Sequence, residues 1–274
     1  MTIEPFRPAD IVPFLKLAAG ENWVAEPWEF EHLLSEFSQG CFSAHGDFGE
    51  RTGFVTSLRH DRSGWIGNLI VAEHVRGVGV GEALFRKALE ALQLAGVKTI
   101  WLTASKSGRS LYEKYGFSSV DTIIRWIGTG RQRHAAHVAT PERAALAGSS
   151  YDLDAHAWGD RREMLLDRTV RRGWLQQNDA GFIVQQPCGD AVQFGPFSAA
   201  DIGSAERFFE EASRTVTLGT KFLLDAPVSN RAALRLFNRR KMRIAGSNIL
   251  MYAGKKPEYR PELIYGLATM GSCG

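Results

Sequence analysis

Along the first half of the chain, apolar residues switch between helical spacing and short continuous runs, which is the pattern of helices interleaved with strands. Thr2–Phe6 reads as a short strand, and Pro8-Ala9-Asp10 opens a helix through Ile11, Phe14, Leu15 and Leu17. A second helix starts near Pro27 and places Trp28, Phe30, Leu33, Leu34 and Phe37 at helical spacing. Cys41–Ala44 and Thr52–Leu58 flank the turn residues Gly46, Asp47 and Gly49, as in an antiparallel hairpin or meander. Trp65–Val71 is strongly apolar and short enough for a buried strand. Glu82–Leu94 is amphipathic through Leu84, Phe85, Ala88, Leu89 and Leu92, and stops at Gly96. Val97–Leu102 predicts another buried strand, Gly108–Tyr115 a helix capped by Gly116, and Val120–Ile127 a closing strand.

The second half repeats this style less cleanly. His134–Ala139 reads as a strand, and Thr140-Pro141-Glu142-Arg143 as a helix start with Pro in its first turn. Arg161–Arg171, Asp201–Ala212 and Asn230–Arg240 predict helices. Gly181–Gln185, Ala191–Phe194, Lys221–Leu224 and Ile249–Tyr252 predict strands. A short echo links the halves: Leu102-Thr103-Ala104 followed by Leu111-Tyr112-Glu113-Lys114 parallels Leu224-Asp225-Ala226 followed by Leu236-Phe237-Asn238-Arg239. With a boundary near Gly128-Thr129-Gly130, the expectation is one architecture used twice, over residues 1–129 and 130–274.

Composition agrees with that size. The chain has 274 residues, against a prior of roughly 100–200 per domain. With 44% hydrophobic and 23% charged residues it has the material for two modest cores. Lys+Arg 33 against Asp+Glu 30 leaves +3, and no block of like charge occurs, so a duplex-binding face is not expected. Cys41, Cys188 and Cys273 form no CxxC pattern, the N-terminus lacks a basic and apolar leader, and no window has the roughly 20 apolar residues of a membrane span. These features predict a cytoplasmic protein with no nucleic-acid or membrane partner, monomeric or homodimeric. His134 and His137, three apart on an expected strand, would point to opposite faces, so no metal site is expected there. His60 and His74 read as exposed loop residues.

The chemistry concentrates where the strand Trp65–Val71 runs through Arg76-Gly77-Val78-Gly79-Val80-Gly81-Glu82 into a helix. Glycines let consecutive N–H groups converge, the helix start adds about +0.5 of an elementary charge, and Arg76 adds a planar cationic fork. Together these make a cradle for a pyrophosphate. Neither glycine register supplies a dinucleotide fingerprint, since the last position falls on Glu82 or Leu84, and no P-loop sequence occurs.

Arg76-Gly77-Val78-Gly79-Val80-Gly81 resembles the R/Q-x-x-G-x-G/A signature of the GNAT acyltransferases, and Leu111-Tyr112-Glu113-Lys114-Tyr115-Gly116-Phe117 resembles that family's L-Y-x-x-x-G-F ending. The whole chain further resembles bacterial tandem-GNAT proteins with a YitH-type second half, through Trp65-Ile66-Gly67, Ala104 with Gly108, Asp225-Ala226-Pro227 with Asn230, and Ile264-Tyr265-Gly266-Leu267-Ala268. The resemblance implies an α/β (α+β) fold of two tandem GNAT units. Each would be a mixed, mostly antiparallel sheet with a splayed central strand pair and flanking helices.

It also implies acetyl-CoA as the acyl donor and a primary amine, small or amino-acid-like, as the acceptor. Backbone groups of Leu69, Ile70 and Val71 would bind the pantetheine arm. Amides from Gly77, Val78, Gly79, Val80, Gly81 and Glu82, with Arg76, would hold the pyrophosphate, and Ser107 and Gly108 would border it. Tyr112 would protonate the leaving thiolate. A lysine-like amine of pKa ~10.4 is neutral near pH ~7.4 only at a cost of about 4 kcal/mol, so a base or desolvating pocket is needed. Trp65–Val71 contains no acid, which leaves Glu21, Glu26 or an ordered water for that role. Trp23 and Trp28 beside these glutamates would suit a cation.

The second half departs from the pattern. Its corresponding loop, Gly195-Pro196-Phe197-Ser198-Ala199-Ala200-Asp201, has no arginine, Pro196 lacks an N–H, and Asp201 would repel a diphosphate. Phe237 stands where the first half has Tyr112. One cofactor per chain is therefore expected, with the second half either walling the acceptor pocket through Asp225 and Asn230 or only burying the first half's edge. Two other readings remain open: a non-catalytic acyl-CoA sensor, and an enzyme acting on a protein lysine or N-terminus.

Overall fold

The computed structural model describes residues 1–131 and 145–274. The strand expected at His134–Ala139, the helix start at Thr140–Arg143 and the pair His134 and His137 lie outside the described residues.

The first half contains strands β1 (Thr2–Pro5), β2 (Phe42–His45), β3 (Arg51–Arg59), β4 (Ser63–Val71), β5 (Thr99–Ala104) and β6 (Ser118–Thr129). Its helices are α1 (Ile11–Gly20), α2 (Pro27–Phe37), α3 (Val80–Leu94) and α4 (Arg109–Glu113). The second half contains α5 (Gly148–Trp158), α6 (Glu163–Arg172), β7 (Trp174–Asn178), β8 (Gly181–Cys188), β9 (Ala191–Ala199), α7 (Ile202–Thr215), β10 (Lys221–Pro227), α8 (Arg231–Arg239), β11 (Arg243–Gly254) and β12 (Ile264–Gly266). Most patterned segments appear within a few residues of expectation. The periodicity missed α5 because its buried face carries Ser150 and Asp154 beside Ala157 and Trp158, so no apolar stripe shows in the sequence. It also missed β7, whose polar Gln176, Gln177 and Asn178 leave only Leu175 buried.

All strands join one mixed, mostly antiparallel sheet in the order β1-β2-β3-β4-β5-β11-β6-β10-β9-β8-β7, with β12 paired to β9. The halves are interleaved within it. β11 lies between β5 and β6, and β6 lies between β11 and β10. Each half thus supplies the strand that completes the other's ladder.

Packing follows the same division. One core gathers Phe14, Phe30, Phe54 and Phe85 in the first half, and another gathers Phe194, Phe209, Phe222 and Phe237 in the second. A third cluster joins them, with Trp65 and Trp101 packed edge-on against Trp158. Beside it, the buried Asp160 accepts the backbone N–H and hydroxyl of Ser63, both at 2.7 Å, and so anchors the start of β4 to the second half.

Candidate active site

β4 and β5 run parallel and pair only over Ser63–Trp65 with Thr99–Trp101. Beyond that point they separate, and the ladder between β3 and β4 shifts register at Asn68 and Leu69. Asn68 takes a positive φ of 55° and donates to Thr56 Oγ1 at 3.1 Å, which fixes this bulge. The result is a wedge whose β4 wall carries Leu69, Ile70 and Val71.

At the mouth of the wedge, Gly77 and Gly79 have φ of 81° and 92°, a backbone that residues with a Cβ rarely adopt. The Gly77–Gly79 turn is exposed. Gly79 is the N-cap of α3 and offers no capping side chain. The first intrahelical bond there runs from Ala83 N–H to Gly79 O at 3.0 Å, so the amides of Val80, Gly81 and Glu82 have no acceptor within the helix. The chain thus leaves a positive helix end open to an outside anion. Arg76 is anchored beside it, its Nε donating to Val71 O at 2.8 Å and its Nη2 paired with Glu21. In the turn before α4, the Gly108 N–H donates to Ser105 Oγ at 3.1 Å, and the Ser107 hydroxyl, also 3.1 Å from Ser105 Oγ, is exposed.

The inner end of the wedge opens into a cavity of about 230 Å³. Tyr112 borders it and is almost fully buried, packed edge-on against Phe85. Burial pushes its phenol up to about 12, so it stays protonated at neutral pH. Trp23 and Asn22 come from the segment between α1 and α2, and Thr103 from β5. Glu29, in the first turn of α2, also lines this space. Its carboxyl is 6% exposed, and burial raises it from 4.5 to about 7 even though Ser272 donates a hydrogen bond to it.

The second half closes the cavity together with β6. Asn248 of β11, Arg125 of the exchanged β6, and Met270, Gly271 and Ser272 form its far wall. Gly271 O accepts Trp65 Nε1 at 3.0 Å, and a Cβ at Gly67 would lie 2.2 Å from Ser272 O, so only glycine fits where this segment crosses β4.

Several expected residues sit elsewhere. Glu21 and Glu26 do not line the cavity: Glu21 is paired with Arg76, and Glu26 is tied to Arg172 at 2.5 Å and to the Gly189 N–H at 2.9 Å. Both carboxylates are engaged in ion pairs away from the cavity. Trp28 is also outside the cavity, because the acidic, aromatic stretch already holds a cation: the Arg172 guanidinium stacks 4.2 Å above its ring. Asn230 caps α8, accepting the Ala233 N–H at 2.9 Å and donating to Ile264 O at 2.9 Å, and does not reach the cavity. Asp225 lies behind the wall and binds Arg125 through two bonds of 2.8 and 2.7 Å. His60 is half-buried rather than exposed, and burial lowers its ring to about 3, so it remains neutral.

The matching features of the second half are filled from within. Asp201 caps α7, its Oδ1 accepting the Ser204 N–H at 2.9 Å. β9 and β10 pair over Ala191–Gln193 and Lys221–Leu223 before their paired register ends. β12 then adds to β9, and the Leu267 N–H donates to Asp225 O at 2.9 Å. Gln193 and Gln186 donate to Leu267 O and Ala268 O at 3.2 and 2.9 Å. The chain's own backbone occupies the second wedge.

Comparison with known proteins matches this geometry. An acetyltransferase (GNAT) domain model fits residues 38–119, and a different model of the same description fits residues 151–266. The chain belongs to the GNAT acetyltransferase superfamily. It carries two GNAT domains in tandem. A candidate acetyltransferase from Pyrococcus horikoshii shares the fold over 100% of this chain and 95% of its own, with TM-score 0.84 at 24% identity. A GCN5-related N-acetyltransferase from Sphaerobacter thermophilus does so over 94% and 98%, with TM-score 0.65 at 19% identity. The [ribosomal protein bS18]-alanine N-acetyltransferase of Haemophilus influenzae is 41% identical over 56 residues, or 20% of this chain; the match spans 38% of that relative's length.

Among the described residues, no group of three or more His, Cys, Asp or Glu side chains is arranged to hold a metal, and no helix is long and apolar enough to cross a membrane.

Proposed function

We propose that the first half is an acetyl-CoA-dependent N-acetyltransferase for a small primary amine, working by direct attack, and that the second half, of YitH type, binds no cofactor. The observation that carries this reading is the contrast between two helix starts: α3 has a glycine cap and free amides, whereas α7 is closed by the Asp201 carboxylate. In this reading the amides of Gly77–Glu82, with Arg76, hold the pyrophosphate, and the turn at Ser107 and Gly108 borders it. The β4 backbone at Leu69–Val71 holds the pantetheine arm. The cofactor supplies an acyl thioester at the inner end of the wedge.

The chain's own groups then handle two protons. Glu29, poised near neutrality, takes one from the acceptor ammonium, and the resulting amine forms the new C–N bond. As the C–S bond breaks, Tyr112 donates its proton to the departing sulfur, and the second proton, shed by the nitrogen as it becomes an amide, restores the phenol. Backbone N–H groups of Asn68 and Leu69, residues of the bulge that border the cavity, would polarise the thioester carbonyl.

A small acceptor is favoured over a protein because the cavity, at about 230 Å³, is below the ~300–1,000 Å³ of drug-sized ligand sites. Its far wall also comes mostly from the second half, with Arg125 of β6. Following thiol release from acetyl-CoA across a panel of amines tests the proposal. Turnover of small amines with none of peptides supports it, and CoA binding without turnover of any amine would favour a sensor.

A further inference from the structure

We infer that the acceptor carries a carboxylate as well as its amine, and that Arg125 binds this carboxylate; the inference rests on the acetyltransferase reading above. Among the described residues, Arg125 supplies the cationic side chain on the cavity wall. A guanidinium has five N–H donors in a fixed plane. The Nε donates to Asp225 Oδ1 at 2.8 Å, and Nη2 donates to Asp225 Oδ2 at 2.7 Å and to Met270 O at 3.3 Å. Nη1 has no hydrogen-bond partner among the described residues.

Asp225 is 3% exposed and sits directly opposite Arg125 across the β6–β10 ladder, so the two-point bond fixes the guanidinium plane. What remains for a ligand is a rigid pair of donors on a preformed wall.

Charge balance points the same way. Asp225 already neutralises Arg125, and Glu29 is the carboxyl that faces the cavity. A zwitterionic acceptor places its ammonium on Glu29, where the proton must leave, and its carboxylate on Nη1. It brings no net charge into a cavity whose other polar lining is neutral, including Asn22, Asn68, Asn248, Thr103, Ser105 and Ser272. An amine without an acid group would leave Nη1 without its ligand partner, and sites built to bond a polar group discriminate strongly against analogues that lack it. Asp225 is thereby a positioning residue acting through Arg125.

The test uses the full chain, acetyl-CoA and matched trios: glycine, alanine, serine, β-alanine and 4-aminobutyrate, each with its carboxamide and its decarboxylated amine. The expected result is thiol release confined to acids, with kcat/KM about a hundredfold or more above either analogue. Arg125→Lys, which keeps a cation for Asp225, should raise KM for the favoured acid about tenfold with kcat little changed. Equal or better turnover of a carboxamide or decarboxylated amine overturns this inference and leaves the acetyltransferase reading standing. CoA binding with no turnover of any member overturns both.

Discussion

Ser272 donates its hydroxyl to Glu29 across 243 residues of sequence, joining the last turn of chain in the second half to the first turn of α2. This contact places a carboxyl raised to about 7 in the same cavity as a tyrosine raised to about 12. One group is near half-ionised at neutral pH and the other is fully protonated, which is the division of labour a base and an acid need.

Glu29→Gln should lower kcat by about a hundredfold or more and remove the rise of kcat/KM with pH through the region near 7. A pH–rate profile of wild type and variant checks this. An unchanged profile would return proton removal to water.

The same carboxyl makes an opposite prediction for stability. Its folded value of about 7 lies above the ordinary 4.5, so the folded state binds the extra proton in that window. The contribution is fully present below pH 4.5 and lost as pH rises through 7, about 3 kcal/mol in all. Glu29→Gln, neutral throughout, should therefore melt higher than wild type at about pH 8 while being nearly inactive. Denaturation at two pH values separates this from a simple packing effect.

Tyr112→Phe should lower kcat about tenfold or more and leave CoA affinity nearly unchanged, because the ring still packs on Phe85. Rapid-mix measurement of thiol release with calorimetry of CoA binding reads both quantities. Wild-type turnover would remove Tyr112 from the reaction.

Residues 1–129 alone lack β11, and without it β5 and β6 have no partner between them. A chain cut there should show no cooperative thermal transition and no heat with CoA, since unpaired buried strand edges are costly. A stable, CoA-binding fragment would show that the exchange is dispensable.

The glycine turn, Tyr112 and most helices and strands were legible because each is a local signal: a cap, a turn or a periodic stripe. Glu29 left a local signal too. It lies four and eight residues before Leu33 and Phe37, on the buried stripe of α2, and an acid on an apolar face is the feature that marks it. Glu21 and Glu26 are the more conspicuous acids in sequence, but their partners Arg76 and Arg172 are far away along the chain. The wall formed by Arg125, Asn248 and Met270–Ser272 was illegible for the same reason. It depends on β6 and β11 trading places, a pairing between strands more than a hundred residues apart that no periodicity records.

The central claim is anion capture by the open start of α3 and its absence at α7. Titration calorimetry of the full chain with CoA tests it most directly, using wild type and Gly79→Asp, read against Gly79→Asn as the neutral control that carries the same strain at φ 92°; only Gly79→Asp puts a carboxylate at the N-cap position that Asp201 holds in α7. The account predicts one site per chain in the wild type and affinity weakened about tenfold or more in Gly79→Asp relative to Gly79→Asn. Two sites, no heat, or equal affinity in the two variants would contradict it.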